Sequence, residues 1–301
     1  MSGSRRSSGP PGSDRPSPGV LRLLLFLSVL LAFSSPITAK AGRPLTLCVH
    51  PYLPASEIQK RFTPLASYLG RELGVPVYLH IAKNYDDHIR MIGENEMGLA
   101  FTGPVSYVRL VVSFGPQQLL GRLETNGKPE FSGVVFVADK SPVHGLSDLV
   151  GKRFAFGDIE STMSHIVPRH MLWKAGVTVD MLSRHSFLNS HDNVVLGVLM
   201  GDFDAGAVMD EVFLRYRNKG LRAIAKTPSI SEHVFVAGKG LPPAVTKRFR
   251  KVLTAMKNSP EGREALRSIK DSVTGVVPVS DSDYDNLRVI LNDLKRIGVA
   301  P

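Results

Sequence analysis

The stretch Lys152-Arg-Phe-Ala-Phe-Gly157-Asp-Ile-Glu-Ser161-Thr-Met-Ser164-His165 decides the fold. A short apolar run leads into a hydroxyl-rich turn, and helical apolar spacing follows. This predicts a buried strand over 152–156 and a helix over 164–175, with the first N–H groups of the helix left without intrahelical partners. Such a helix start carries the positive end of the backbone dipole and suits an anion. Two other stretches repeat the design after apolar runs: Thr102-Gly103-Pro104-Val-Ser106-Tyr107 and Asn189-Ser190-His191-Asp192.

Outward from that stretch, strand-like and helix-like segments alternate from residue 42 onward. Strands are predicted over 45–50, 75–81, 97–101, 118–124, 132–138, 152–156, 184–188, 204–209, 221–226 and 232–237. Helices fill most of the intervals, and three more, over 243–258, 261–270 and 280–298, close the chain. The alternation implies an α/β fold whose mainly parallel sheets are flanked by helices on both faces. Two such units with two crossings predict a two-lobed clamshell. We expect 42–135 with 236–301 in lobe 1 and 136–235 in lobe 2. In open α/β sheets a ligand sits beyond the carboxyl ends of the strands, and the three hydroxyl-rich turns fall there.

The first 41 residues differ. Residues 1–19 are rich in Ser, Pro, Gly and Arg, 23–33 are apolar apart from Ser28, and a small-residue tail Ala39-Lys40-Ala41 follows. This reads as a secretory signal peptide cleaved near 39–41, which implies a periplasmic protein; an uncleaved anchor is the alternative. The single cysteine, Cys48, sits mid-strand and allows no internal disulfide. The formal charge is +10, of which residues 1–41 hold five Lys/Arg and one acid, leaving +6 on the rest. Basic residues are interspersed with acids and form no aromatic-basic stripe, which argues against nucleic acid as a partner.

Motifs for other chemistry fail on spacing. Gly145-Leu-Ser-Asp-Leu-Val-Gly151-Lys152-Arg153 is one residue too long for a phosphate-binding loop and has Arg153 where a hydroxyl belongs. No dinucleotide fingerprint or nucleophile elbow is present. His165 and His170 are five apart with Pro168 between them, so they are not paired metal ligands. No metal or cofactor is called for. A hydrolase would need Ser161 as nucleophile with His191 as base, and nothing in the sequence brings them together. We therefore expect a binding protein rather than an enzyme. Its candidate ligand-binding residues are Ser161, Thr162, Met163 and Ser164 of the first turn, Tyr107 and His191 of the other two, and Tyr52 after the first strand. Asp210 and Glu211 follow the strand over 204–209.

At these residues the chain resembles the phosphate/phosphite/phosphonate substrate-binding proteins of ABC importers, the PhnD-like group of type II periplasmic binding proteins. The resemblance runs from about Leu45 to Val299. It is carried in order by Pro51-Tyr52-Leu-Pro54, Phe62-Thr-Pro-Leu-Ala-Ser-Tyr68, Gly103-Pro-Val-Ser-Tyr107, Asp148-Leu-Val-Gly-Lys-Arg-Phe-Ala-Phe-Gly157, Ser161-Thr162, Ser190-His191-Asp192 and Asp204-Ala-Gly-Ala-Val208. It implies a monomer that closes on a tetrahedral oxyanion and delivers it to a permease and ATPase complex in the inner membrane. It implies ligand contacts at Tyr52, Tyr107, Ser161, Thr162 and His191, with Glu211 placed to hold an aminoalkyl group. The family turn usually reads Ser-Thr-Ser-Gly, so Met163 and Ser164 depart from it and leave the anion open. The alternatives are another anionic or heterocyclic solute, such as a sulfonate or a thiamine-precursor pyrimidine, or a ligand-sensing module for a membrane receptor.

Overall fold

The structure is a computed structural model that describes residues 1–3, 9 and 44–299. The expected signal sequence, with its apolar run and cleavage region, lies outside the described residues.

The chain opens with β1 (Leu45–Val49), α1 (Ala55–Leu73), β2 (Val77–Ile81), α2 (Tyr85–Gly93), β3 (Leu99–Thr102), α3 (Pro104–Phe114) and β4 (Gln118–Thr125). Next come β5 (Glu130–Phe131), β6 (Gly133–Ala138), β7 (Arg153–Phe156), α4 (Val167–Lys174), β8 (Arg184–Phe187), α5 (His191–Leu199), β9 (Ala205–Met209), α6 (Asp210–Tyr216) and β10 (Leu221–Lys226). It ends with β11 (Ile230–Ser231), β12 (Val234–Ala237), α7 (Pro243–Ala255), α8 (Pro260–Ile269), β13 (Val273–Val277) and α9 (Asp285–Arg296).

Two sheets form two lobes. Lobe 1 has the strand order β13-β4-β12-β3-β1-β2 and lobe 2 the order β10-β6-β9-β7-β8. The α/β clamshell expected from the sequence is present, but both sheets are mixed rather than mainly parallel. β1 runs parallel to β2 and β3, whereas β12 is antiparallel to β3 and β4. Likewise β7 is parallel to β8 and β9, whereas β6 is antiparallel to β9. The cause is connectivity. β6 and β12 each arrive from the other lobe and so begin at the cleft, where their parallel neighbours end.

The same strands correct the expected boundaries. β6 lies whole in the second sheet, so Val134 and Val135 belong to lobe 2, and β12 places Phe235 in lobe 1. The crossings are residues 126–132 and 227–233, and they pair with each other through Phe131↔Ile230 and Glu130↔Ser231. The strand β13 was not expected; it adds to the outer edge of β4.

Strand alternation distributes the core. In β1, Leu47 and Val49 pack with Phe62, Leu69, Phe101 and Phe249 on one face, while Cys48 packs with Ile92, Leu110 and Leu294 on the other. Each such fully buried side chain contributes roughly 1.5–3 kcal/mol. Cys48 Sγ lies 3.4 Å from His88 Nδ1, and burial, with Asp87 adding, pushes the thiol up to about 12. It is a packing residue without nucleophilic character. In lobe 2, Phe136 packs with Val194 and Val198 on one face of the sheet, and Phe154 and Phe156 pack with Leu172 on the other.

Candidate functional site

Where the two lobes meet, the carboxyl ends of β1, β3, β7 and β9 surround a small cavity of about 20 Å³. Lobe 1 lines it with His50, Tyr52, Tyr85, Gly103, Ser106 and His233, and lobe 2 with Glu160, Ser161, Thr162, Met163, His191 and Met209. Phe131, on the crossing strand β5, completes the wall.

The hydroxyl-rich turn is built as a wide helix start. Residues Thr162–Ile166 form one π-type turn before α4, in which Ile166 N–H donates to Ser161 O at 3.0 Å. Ser161 Oγ caps it by accepting from Ser164 N–H at 3.1 Å. Among the described residues the N–H groups of Thr162 and Met163 have no protein acceptor, and they are the free donors of this helix start. Met163 lines the cavity. Its sulfur accepts from Thr227 Oγ1 at 3.4 Å, and its side chain packs with Ile166 at the crossings.

Opposite it stands the start of α3. Ser106 is buried and its Oγ has no protein partner among the described residues, which in a sealed site costs about 1–3 kcal/mol unless a ligand or water supplies the bond. The two helix starts touch: Val105 N–H donates to Thr162 Oγ1 at 3.3 Å.

Three imidazoles line the cavity, and their partners fix which atoms carry protons. His191 Nδ1 accepts from Met209 N–H at 3.2 Å. Burial lowers its pKa to about 4, with His233 and Arg215 adding to the effect. The ring is therefore neutral and Nε2–H is a donor. His50 is the reverse. Its Nδ1 lies 3.2 Å from Phe101 O, a group that only accepts, so Nδ1 holds the proton. Burial, with His233 and His88 nearby, holds His50 well below the usual histidine range, so Nε2 is a bare acceptor. His233 Nδ1 lies 2.9 Å from Glu232 Oε2, and its backbone N–H donates to the same oxygen at 3.0 Å. Burial pushes the Glu232 carboxyl up, but the His233 hydrogen bond and charge and the charge of Lys270 outweigh it and hold the group down at about 2. His50 and His233 stack at 5.4 Å, and His50 stacks on Tyr52 at 4.8 Å.

Among the described residues no Lys or Arg side chain lines the cavity. Arg109 pairs with Glu160 at 2.5 Å and joins α3 to the turn. Two more pairs span the lobes: Lys270 with Glu211 at 3.3 Å, and His170 with Asp293 at 3.0 Å.

The structure thus brings Tyr52, Ser161, Thr162, Met163 and His191 together. It does not bring the other four. Tyr107 turns into the core, donates to Asp281 at 2.7 Å and packs on Tyr284; its neighbour Ser106 faces the cavity instead, because one residue along a helix turns the side chain by about a quarter circle or more. Ser164 is fully buried and its hydroxyl donates to Ala207 O, tying the turn to β9. Asp210 and Glu211 line the larger outer mouth, about 580 Å³, where Asp210 meets Lys226 at 3.7 Å. His50, Tyr85, Ser106, Glu160, Met209 and His233 were not singled out from the sequence. Placement at strand ends would have found most of them; His233 enters from a crossing. Among the described residues no group of three or more His, Cys, Asp and Glu could hold a metal ion.

Comparison with known proteins identifies the family. The family model for the phosphonate periplasmic substrate-binding protein of ABC transporters matches residues 47–284. The phosphate-import protein PhnD of Mycolicibacterium smegmatis is 28% identical over 83% of this chain and 86% of its own length. A probable ABC transporter phosphite-binding protein, PhnD1, of Prochlorococcus marinus is 25% identical over 92% and 99%. The fold matches the structure of Prochlorococcus marinus PhnD1 in complex with methylphosphonate, with a TM-score of 0.76 at 21% identity, covering 84% of this chain and 98% of that one. This is a family of substrate-binding components, not of enzymes. On a match across most of its length, the chain belongs to the phosphonate periplasmic substrate-binding proteins of ABC transporters.

Proposed function

We propose that this chain captures a phosphorus oxyanion, a phosphonate, phosphite or phosphate, between its lobes and hands it to an ABC permease and its ATPase. The observation that carries the reading is the pair of free N–H groups at Thr162 and Met163, facing a buried cavity with the His191 Nε2–H and the unpartnered Ser106 hydroxyl. Aligned neutral donors at a helix start hold an anion without a cation beside it. Tyr52, Ser161, Thr162, Met163 and His191 are the contacts we assign. The names of the relatives, for phosphate import and phosphite binding, support the ligand class. The protein works as an exported monomer, its apolar leader serving as signal peptide. Thermal melts with phosphate, phosphite, methylphosphonate and 2-aminoethylphosphonate, against taurine and a pyrimidine, test the reading. A phosphorus ligand at 100 times its Kd adds about 2.7 kcal/mol to stability. If none of the four raises the Tm, the reading fails.

A further inference from the structure

The cavity is polarised in its hydrogen bonding. Lobe 2 presents donors: two backbone N–H groups and His191 Nε2–H. Lobe 1 presents the lone pair of His50 Nε2, because Nδ1 is committed to Phe101 O. His233 Nε2 flanks the same space, because its Nδ1 is committed to Glu232. Both Nε2 atoms converge over Gly103: a Cβ there would stand 3.4 Å from His50 Nε2 and 3.8 Å from His233 Nε2.

We propose that the cavity selects the monoprotonated, singly charged form of its oxyanion, with the P–O–H group donating to His50 Nε2 and the unprotonated oxygens meeting the lobe 2 donors. The inference rests on the phosphorus-oxyanion reading above. A dianion would set a bare oxygen against a bare nitrogen lone pair in a buried site, where two facing acceptors are costly. Among the described residues the cavity wall has no Lys or Arg to balance a second negative charge.

The titratable groups around His50 are Tyr52, Tyr85, His88 and His233, all with ring centroids within 5.7 Å, and Glu232 behind His233. Across the cavity are His191 and Glu160, the latter paired with Arg109. Burial lowers His88 to about 3 and His191 to about 4, and raises Tyr52 and Tyr85, so none of these four changes charge near neutral pH. The pH of the break, compared between two ligands, separates the ligand's proton from any held by the protein.

Calorimetric titration of the protein between pH 6.5 and 9 with methylphosphonate and with the more acidic difluoromethylphosphonate makes that separation. The expected affinity falls about tenfold per pH unit above each ligand's second ionisation, and the break moves to lower pH for the more acidic ligand. Methanesulfonate matches the monoanion in shape and charge but lacks the O–H, and binds at least ~100-fold more weakly at pH 6.5. His50→Phe keeps the ring and removes the acceptor, bringing the two to within about tenfold. Gly103→Ala keeps an allowed backbone (φ −74°) and sets a methyl before Nε2; it weakens methylphosphonate at least ~10-fold with Tm unchanged. A break at one pH for both phosphonates, or no break, overturns the proposal and leaves the ligand class standing. Failure of every phosphorus oxyanion at every pH overturns both.

Discussion

Thr162 Oγ1 accepts the N–H of Val105 at 3.3 Å, so the first turns of two helices from opposite lobes are bonded to each other at the cavity wall. With the Arg109–Glu160 and Lys270–Glu211 ion pairs and the His170–Asp293 hydrogen bond also spanning the lobes, the described arrangement is closed. A cavity of about 20 Å³ has room for about one water. Entry of an oxyanion therefore requires these contacts to part and to re-form around it, the hinge closure common to two-lobed binders.

Thr162→Val keeps the side-chain shape and deletes the acceptor. Val105 N–H then has no partner in the closed form. We expect methylphosphonate affinity to fall about tenfold, ~1.4 kcal/mol, and the Tm of the free protein to stay within about 2 °C. Calorimetry and thermal melts check this; unchanged affinity would show the contact to be incidental.

Arg109→Met leaves Glu160 buried without its cation, but only while the lobes are together. The cost, about 2–3 kcal/mol, should therefore fall on closure rather than on folding. The expected result is affinity reduced by about 30- to 160-fold and a larger radius of gyration by small-angle scattering with ligand present. A drop in Tm with affinity intact would contradict it.

Gly133 stands where the first crossing enters β6. A Cβ there would lie 2.8 Å from Val208 O and 3.0 Å from the Met163 Cβ. One of those contacts is backbone and cannot swing away, so Gly133→Ala should destabilise by about 1–3 kcal/mol in urea unfolding. It should also displace Met163 and so weaken the anion.

Acid should unfold the protein well above the carboxylate range. His50, His88, His165 and His191 are all held below the usual histidine value by burial, the last three at about 3, 4 and 4. The unfolded chain takes up these protons near pH 6.5 and the folded chain does not, so stability is lost as pH falls from about 6.5 toward 4. Each histidine adds a slope of about 1.4 kcal/mol per pH unit in that window. Urea midpoints measured from pH 7 to 4.5 should decline steeply, and His165→Phe should make the decline shallower. Glu232 acts lower: its folded value near 2 gives stability that is complete above about pH 4.5 and disappears below it.

The lobes, the order of most elements and the position of the site were legible because hydrophobic periodicity and turn chemistry are local signals. Strand direction was not, since the antiparallel entry of β6 and β12 depends on which lobe the chain arrives from. The turn at Ser161 is marked by its hydroxyls, which bring Thr162 and Met163 to notice, and His191 is marked by a second such turn. Tyr107 turns away from the cavity because its ring is claimed by Asp281 and Tyr284 from a distant part of the chain, a pairing no local signal carries. Ser164 was claimed in the same way by Ala207 O. His233 had no local signal; its role follows from Glu232 beside it and His50 stacked on it, contacts that exist only after folding.

Cys48 gives the protein an experimental convenience. The only thiol of the sequence is sealed inside the sheet of lobe 1 and held protonated. Reagents that modify cysteines will pass over the folded native chain. A pair of cysteines placed on the outer surfaces of the two lobes can then carry fluorophores or spin labels with no background from the parent residue. The opening and shutting of the cleft can be followed as a distance, in real time, in an otherwise unaltered protein.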